Sequence, residues 1–439
     1  MDSPSPRPAA PAASAAAPAE ARTGSLLVIF LTVFIDLLGF GMVLPLLPIY
    51  ADSFGVSESG WEIALLMSSF SLMTFFFAPL WGRLSDRVGR RPVLIVGLAG
   101  SVVFYFLFGL ATIWQSLIWL FVARLGAGIC GATIPTAQAY IADTTTLQTR
   151  AKGMALIGAA FGLGFTFGPL LGAAALLFSR GPHEVGTSPW PGYAAALLSA
   201  GALLMAIFLL PESLSGRVSR TQHRLFDVQG LRDALGTPTI PALLAAAFLS
   251  VVSFGSFETT LSLLLKSQTA SFRFEFHQVL LYFAYIGLVL SLAQGFLVRR
   301  LSGHIGELMM ASLGAVLSCA GFLHLAVASA GSSLTGLMIA SAVEVTGFAM
   351  MTPSIQSMIS RRSDPARQGG ILGISQGTSA LARIVGPLLA VPLFKQFSPQ
   401  MPYYAALGLM LAALLLLVAF ARGGKDYGAP AEPPPPVEL

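Results

Sequence analysis

The sequence predicts an all-α integral membrane protein, with twelve transmembrane helices in two pseudo-symmetric bundles of six. Three observations carry that prediction. First, 55% of the 439 residues are hydrophobic and only 10% are charged, against roughly 25% charged in a soluble domain. Second, the apolar residues fall in runs of about twenty, the length a helix needs to cross ~30 Å of hydrocarbon and about twice that of a barrel strand. Third, the chain repeats. RLSDRVG at 83–89 returns as RLSGHIG at 300–306, GPLL at 168–171 returns at 386–389, and Pro135 matches Pro353, all at a spacing of 217 or 218 residues. Parallel repeats of six spans place a substrate site between the halves, near the bilayer midplane.

Residues 1–24, rich in Ala, Pro and Ser, read as a disordered tail. They lack the order of basic, apolar and cleavage regions that marks a signal peptide. Span 1 is predicted over Leu26–Tyr50 and span 2 over Trp61–Trp81. Between spans 2 and 3 lies Gly82–Pro92, GRLSDRVGRRP, which reads as a tight basic loop in water. Span 3 covers Val93–Ala111, span 4 Leu117–Ile141, span 5 Gly153–Phe178 and span 6 Tyr193–Leu210. These make a first bundle of 25–210. A polar linker follows over 211–239, with arginines at 217, 220, 224 and 232. The second bundle, 240–421, holds span 7 at Ile240–Leu265, span 8 at Val279–Val298 and span 9 at Leu308–Ala328. Span 10 is placed at Leu334–Ile359, span 11 at Gly369–Phe394 and span 12 at Tyr403–Ala421. Proline-rich 422–439 reads as a second disordered tail.

Charge fixes the expected orientation. Nineteen of the 25 Lys and Arg residues lie in the tails and the loops on their side, whereas the opposite side has Arg180, Lys266, Arg273 and Lys395. Both tails are therefore expected in the cytoplasm, in a multi-pass protein of the plasma (or inner) membrane. The net charge of +5 is spread over short loops and gives no nucleic-acid surface. Cys130 and Cys319 sit far apart in apolar runs and give no disulfide framework. No zinc spacing, phosphate loop or nucleophile motif is present. The chain is thus read as no enzyme, with no metal and no cofactor beyond a proton gradient. Its expected partners are a small-molecule substrate, protons and the lipid bilayer, and it is read as a monomer.

Five charges lie inside apolar spans: Asp36, Arg124, Glu258, Glu344 and Arg383. Each costs about 2.5–3.5 kcal/mol at the centre of a helix on insertion scales, so it is kept for a cavity or a partner. One reading is a structural ion pair that locks two helices. The other is a proton relay, and Asp36, Glu258 and Glu344 are taken as candidates for it. Arg124 does not lose its proton and would tune a carboxylate such as Asp36. Arg383 would bind an anionic group or pair with Glu344 or Glu258. Phe40 and Phe257, with Phe30, Phe34 and Phe254, lie near the acidic positions and are candidates to line a cavity with Asp36, Glu258, Gln376 and Arg383.

The spacing Gly82, Asp86, Gly89, Arg90, Arg91, with Arg87 inside it, resembles the signature between helices 2 and 3 of the major facilitator superfamily. There it implies a cytoplasmic gate that latches the two halves, with Asp86 as acceptor. The second copy has Gly303 in place of Asp86, so the latch is expected to be asymmetric. RLGAGICGA, from Arg124 through Gly126, Gly128 and Gly131, resembles the family's helix-4 signature and implies proton coupling at Arg124. GAAFGLGFTFGPLLG in span 5 resembles the antiporter signature, through Gly158, Gly162, Gly164, Gly168, Pro169 and Gly172. Glycines at that spacing let helix backbones approach closely. Together these imply a twelve-helix drug:proton antiporter with the major facilitator fold. DLLGFGMVLPLLP in span 1 and ARIVGPLL in span 11 look like the tetracycline-exporter branch. Tetracycline exporters proper use a histidine in helix 8 and an aspartate in helix 9. Here span 8 has neither charge nor histidine and span 9 offers His324. The expected activity is export of a small organic compound; the rivals are a proton-coupled importer and a non-transporting sensor.

Overall fold

The structure, a computed structural model, describes residues 23–145, 150–179, 188–214, 236, 239–266, 272–302, 304–331, 333–363, 368–421 and 423–424. Residues 1–22, 425–439 and most of the 211–239 linker lie outside the described residues, so the expectations of disorder there are not met by any observation. Twelve helices are long and apolar enough to cross a membrane. Every regular element among the described residues is helical. An even number of crossings returns both ends of the chain to one side, called here the tail side; the other is the far side.

Proline and glycine set where the spans bend. Span 1 runs as a helix over Thr23–Val43, turns, and resumes at Leu47–Ser53. Pro45 lies in that turn and Pro48 in the first turn of the second piece, where its missing N–H has no helical partner to lose. Span 4 is likewise two helices, Leu117–Gly131 and Ile134–Thr144, with Pro135 opening the second. Span 8 begins at Phe276, passes through a π-helical turn at Ala293–Val298 and ends at Leu301.

One expectation is corrected here. The basic stretch after Trp81 is not a loop, because span 2 continues as helix from Trp61 to Val88 and span 3 starts at Arg90. Gly89 alone separates them, at φ 108°, a conformation that favours glycine. Asp86, in the last turn of span 2, and Arg90, at the start of span 3, form an ion pair at 2.5 Å across that break.

Spans 1–6 and 7–12 form the two halves, which meet where span 5 packs on span 8 and span 2 on span 11. The contacts are close. Gly287 admits the backbone of Phe165, which a Cβ there would meet at 2.6 Å. The hydroxyls of Thr166 and Ser291 lie 3.0 Å apart, and Ser68 donates to the Ile384 carbonyl at 2.7 Å. On the far side Lys395 pairs with Asp52, Tyr50 lies against Phe276 with ring centroids 5.8 Å apart, and Lys266 sits over the Phe276 ring. Trp61, Trp114, Trp119 and Trp190 are exposed at that end, the position of an interfacial aromatic belt.

On the tail side the ion pairs among the described residues stay inside one half. Arg90 reaches Asp86, Asp143 at 3.1 Å and Ser85 at 2.7 Å. Glu212, just after span 6, accepts the N–H groups of Arg90 and Arg91 at 2.9 and 3.2 Å and so caps span 3. Arg91 donates to the carbonyls of Ala206 and Ile207. In the second half Arg361 pairs with Glu307 at 2.7 Å. The expected gate residues Asp86, Arg90 and Arg91 thus tie span 2 to spans 3, 4 and 6 of one half, and among the described residues they do not latch the two halves together. Gly82 has open space beside it, Arg87 is exposed and Gly303 lies outside the described residues.

Candidate functional site

Three charged side chains are electrostatic neighbours across the two halves: Arg124 from span 4 and Arg383 from span 11 both act on Glu258 of span 7. Glycine packing positions the first. The absent side chain of Gly128 lets the backbone of Phe70 come within 2.6 Å of where a Cβ would stand, and Gly131 accommodates the Phe70 ring. Phe70 is thereby held under the Arg124 guanidinium, 4.8 Å from it, with Phe40 at 5.8 Å. Such cation–π contacts contribute about 2 kcal/mol when desolvated. They do not satisfy its N–H groups. Arg124 is 2% exposed, and its Nε and Nη1 meet no acceptor among the described residues.

Glu258 is half-buried and lies within electrostatic reach of Arg383 in its own half and Arg124 in the other. It forms no ion pair or hydrogen bond with either among the described residues. Arg383 is exposed, as is Gln376 two turns toward the tail side on the same face of span 11. With Glu258 ionised the three groups sum to one positive charge. Phe40, packed against Phe70 at 5.1 Å and Phe165 at 6.1 Å, borders this region from the first half.

The other candidates lie elsewhere. Asp36 is turned into the first half, where Ser199 of span 6 donates to it at 3.3 Å and Ser101 of span 3 is a second hydrogen-bond partner. One turn on, Gly39 packs against Tyr105 and Ala195, which fixes that face of span 1 toward spans 3 and 6. Tyr105 is an electrostatic neighbour of both Asp36 and Arg124. The carboxylate facing Arg124 is therefore Glu258 rather than the expected Asp36. Glu344 is fully buried against span 9, where Gly321 and Ser318 receive it, and neither of its carboxylate oxygens has a partner among the described residues. It does not join Arg383. Phe257 is 1% exposed and packs in the core beside Phe254, so it lines no open space.

The span-5 glycines divide between two neighbours. Gly164 and Gly168 meet the backbone of Leu37–Gly41 in span 1, while Gly162 and Gly172 face Ser291 and Leu280 of span 8 in the other half. Gly158 has no neighbour within 4 Å. Pro169 lies inside the unbroken helix Arg150–Leu176. Span 5 is thus thinned on the faces that touch span 1 and the opposite half. Ser101, Tyr105, Ser199 and Phe70 escaped the sequence reading. Ser101 and Tyr105, four residues apart in a charge-free span, were the available signal.

Comparison with known proteins agrees with this architecture. The family model described as Major Facilitator Superfamily matches residues 29–343 and 300–438. The class C tetracycline resistance protein of Escherichia coli is 33% identical over 373 residues, covering 84% of this chain and 89% of that protein. Major facilitator superfamily domain-containing protein 10 of Homo sapiens is 29% identical, covering 89% of this chain and 91% of its own. Among solved structures, the human organic anion transporter MFSD10 (TETRAN) superposes with a TM-score of 0.66 at 29% identity, covering 90% of this chain and 99% of that one. A D-xylose-proton symporter gives a TM-score of 0.69 at 16% identity, with 90% and 97% covered, a likeness of fold. The chain belongs to the major facilitator superfamily, on its tetracycline-exporter-like branch.

Proposed function

We propose that this transporter exports a small organic compound in exchange for protons, by alternating access of one site between its halves. The observation that supports the reading most is that Arg124, from the other half, and Arg383 both act on Glu258. Glu258 is assigned the coupled proton. When it is ionised it balances part of the positive charge and can hold a cationic group; when it is protonated that group is released. Proton and substrate then exclude one another, which is the condition for antiport. Arg124 acts from the opposite half, so the charge on Glu258 alters the attraction between the halves and biases which side is open. The proton-motive force supplies the drive, at about 2.3 kcal/mol per charge per 100 mV of potential. Tetracycline resistance proteins among the relatives favour export. Asp36 is assigned a position on the proton path behind Glu258; Glu344, enclosed in the span 9–10 interface, is not. The positive-inside rule favours both tails in the cytoplasm, and the protein is assigned to the plasma membrane as a monomer.

The test is proton movement in everted membrane vesicles. Adding candidate aromatic drugs should release protons from wild-type vesicles and not from Glu258→Gln vesicles. Release that survives in Glu258→Gln would remove Glu258 from the coupled role. A second reading, proton symport of an anion, is favoured by the Arg124 guanidinium, whose Nε and Nη1 meet no acceptor among the described residues, and by the organic anion transporter among the relatives. It predicts that protons enter with the substrate rather than leave.

A further inference from the structure

A small polar cavity lies inside the second half. It sits among spans 7, 10 and 11, within about three turns of their tail-side ends. Ser250, Thr352, Gln356, Ser375 and Ser379 supply its polar lining. The Ser250 side chain is 1% exposed, and neither its hydroxyl nor that of Thr352 has a partner among the described residues. Ser379, by contrast, donates to the Ser375 carbonyl at 3.0 Å. A buried hydroxyl left without a partner costs about 1–3 kcal/mol. The cavity has a volume of about 10 Å³, roughly the space one water needs, and two unanswered hydroxyls beside the Gln356 amide give that water its partners.

The same helix faces lead from the cavity toward the centre of the membrane. On span 7 Phe254 follows Ser250 by four residues and Glu258 follows Phe254 by four, so the three share a face. Between Ser250 and Leu265, Phe254 and Glu258 are the two residues that are not buried. On span 10 Phe348 precedes Thr352 by four residues, and its ring stacks on Phe254, 4.0 Å between centroids and 14° from parallel. The stacked pair closes the cavity on the side of Glu258. Spans 7 and 11 are sealed just beyond it, where Ser256 donates to the Gly386 carbonyl at 3.2 Å. Pro353, next to Thr352, has no N–H to give the Ala349 carbonyl, so span 10 can bend beside the pair. No titratable side chain lines the cavity. Beyond the pair, Glu344 is enclosed by span 9 and Arg383, four residues past Ser379, is exposed.

We propose that this cavity is a proton exit through the second half, in which water held by Ser250 and Thr352 joins Glu258 to the tail side when Phe254 and Phe348 part. This rests on the antiport reading of Glu258. In that cycle substrate enters from the tail side between the halves as the proton leaves Glu258. A separate exit lets the two trade without sharing a passage. The proton moves by relay: Glu258 gives one to the nearest water, and each water or hydroxyl that accepts a proton donates another. One proton emerges at the tail side and no other bond changes. The stacked rings exclude water, so the exit stays shut while Glu258 faces the far side.

The test is proton flux without substrate through purified full-length protein in liposomes. A trapped pH dye reads the flux under an imposed pH gradient, with the potential clamped by potassium and valinomycin. Phe254→Ala leaves Glu258 open to the tail side even while the halves open to the far side, and should raise the flux about tenfold or more over wild type. Phe254→Leu, which keeps an apolar plug, should not. In the Phe254→Ala background Glu258→Gln should abolish the leak, and Ser250→Ala with Thr352→Val should remove most of it. If Phe254→Ala does not fold, Phe348→Ala opens the pair from span 10 and is judged in the same way. A folded protein with the pair opened that does not leak overturns the exit. So does a leak that survives Glu258→Gln, one that is lost in Glu344→Gln instead, or one indifferent to the two hydroxyls. Antiport is judged apart from this, by the everted-vesicle assay. A leak that needs Glu258, with no drug-triggered release in that assay, supports the exit and removes the antiport reading.

Discussion

Glu258 and Glu344 are carboxylates of the same half, both inside apolar spans, yet they occupy opposite kinds of environment. Glu258 is half-buried, faces guanidinia from both halves and touches neither. Glu344 is fully enclosed, with span 9 packed on it and no basic group in contact. The difference lies in what moves around each one. Spans 4, 7 and 11 bring charges of both halves to the boundary that must open, so ionisation at Glu258 acts between rigid bodies. Spans 9 and 10 stay together within one half, so ionisation at Glu344 acts on a packed interface. A carboxylate couples a gradient to motion only where its charge is felt differently in the two states of the protein.

The contrast can be broken most decisively by exchanging the carboxylates for amides. Glu258→Gln should reduce proton-driven transport by about a hundredfold, at the upper end of ordinary coupling energies. Glu344→Gln should leave it within about twofold. A reversal of that order, measured as initial transport rate per folded protein, would move the coupled site into the span 9–10 interface. Packing gives the next effect. A Cβ at Gly321 would meet Glu344 Cα and backbone nitrogen at 2.6 Å, so Gly321→Ala should destabilise by about 1–3 kcal/mol, the usual scale of overpacking. Gly255, one turn from Glu258, has its nearest neighbour at 4.0 Å, and Gly255→Ala should leave the melting temperature in detergent unchanged. Equal losses at both glycines would deny that the two carboxylates differ in enclosure.

Removing the burial cost itself gives a smaller, opposite effect. Glu344→Met replaces two unanswered oxygens with an apolar chain and should stabilise the protein by about 1 kcal/mol. A strong loss of stability would mean that Glu344 has a partner. The smallest effect is expected at the far side, where Asp52 and Lys395 are partly exposed. Asp52→Asn should cost less than about 1 kcal/mol and raise thiol labelling of a cysteine placed at Gly60, which lies against Lys395 and Val391. Unchanged labelling would show that this ion pair does not hold the far side closed.

Much of this was legible in the sequence. Twelve spans, the repeat and the span-5 glycines follow from composition and spacing, because membrane helices are set by length and hydropathy. The charged residues were legible as a set and their company was not. Periodicity gives no signal for which side of span 1 carries Asp36, since the helix is apolar on all sides. Its direction is set by Gly39 meeting Tyr105 and by serines in spans 3 and 6. Phe257 looked like a cavity residue for the same reason and is core. The basic stretch before Gly89 was misread as a loop because charge density marks exit from the membrane and not the end of a helix.

The account turns on Glu258 as the coupled group, and transport by reconstituted protein tests it most directly. In liposomes, any exchange of labelled for unlabelled substrate that Glu258→Gln retains should no longer depend on pH, since the group that trades proton for substrate is gone. The variant should fail to accumulate substrate when a pH gradient is imposed. Accumulation at the wild-type level would contradict the account.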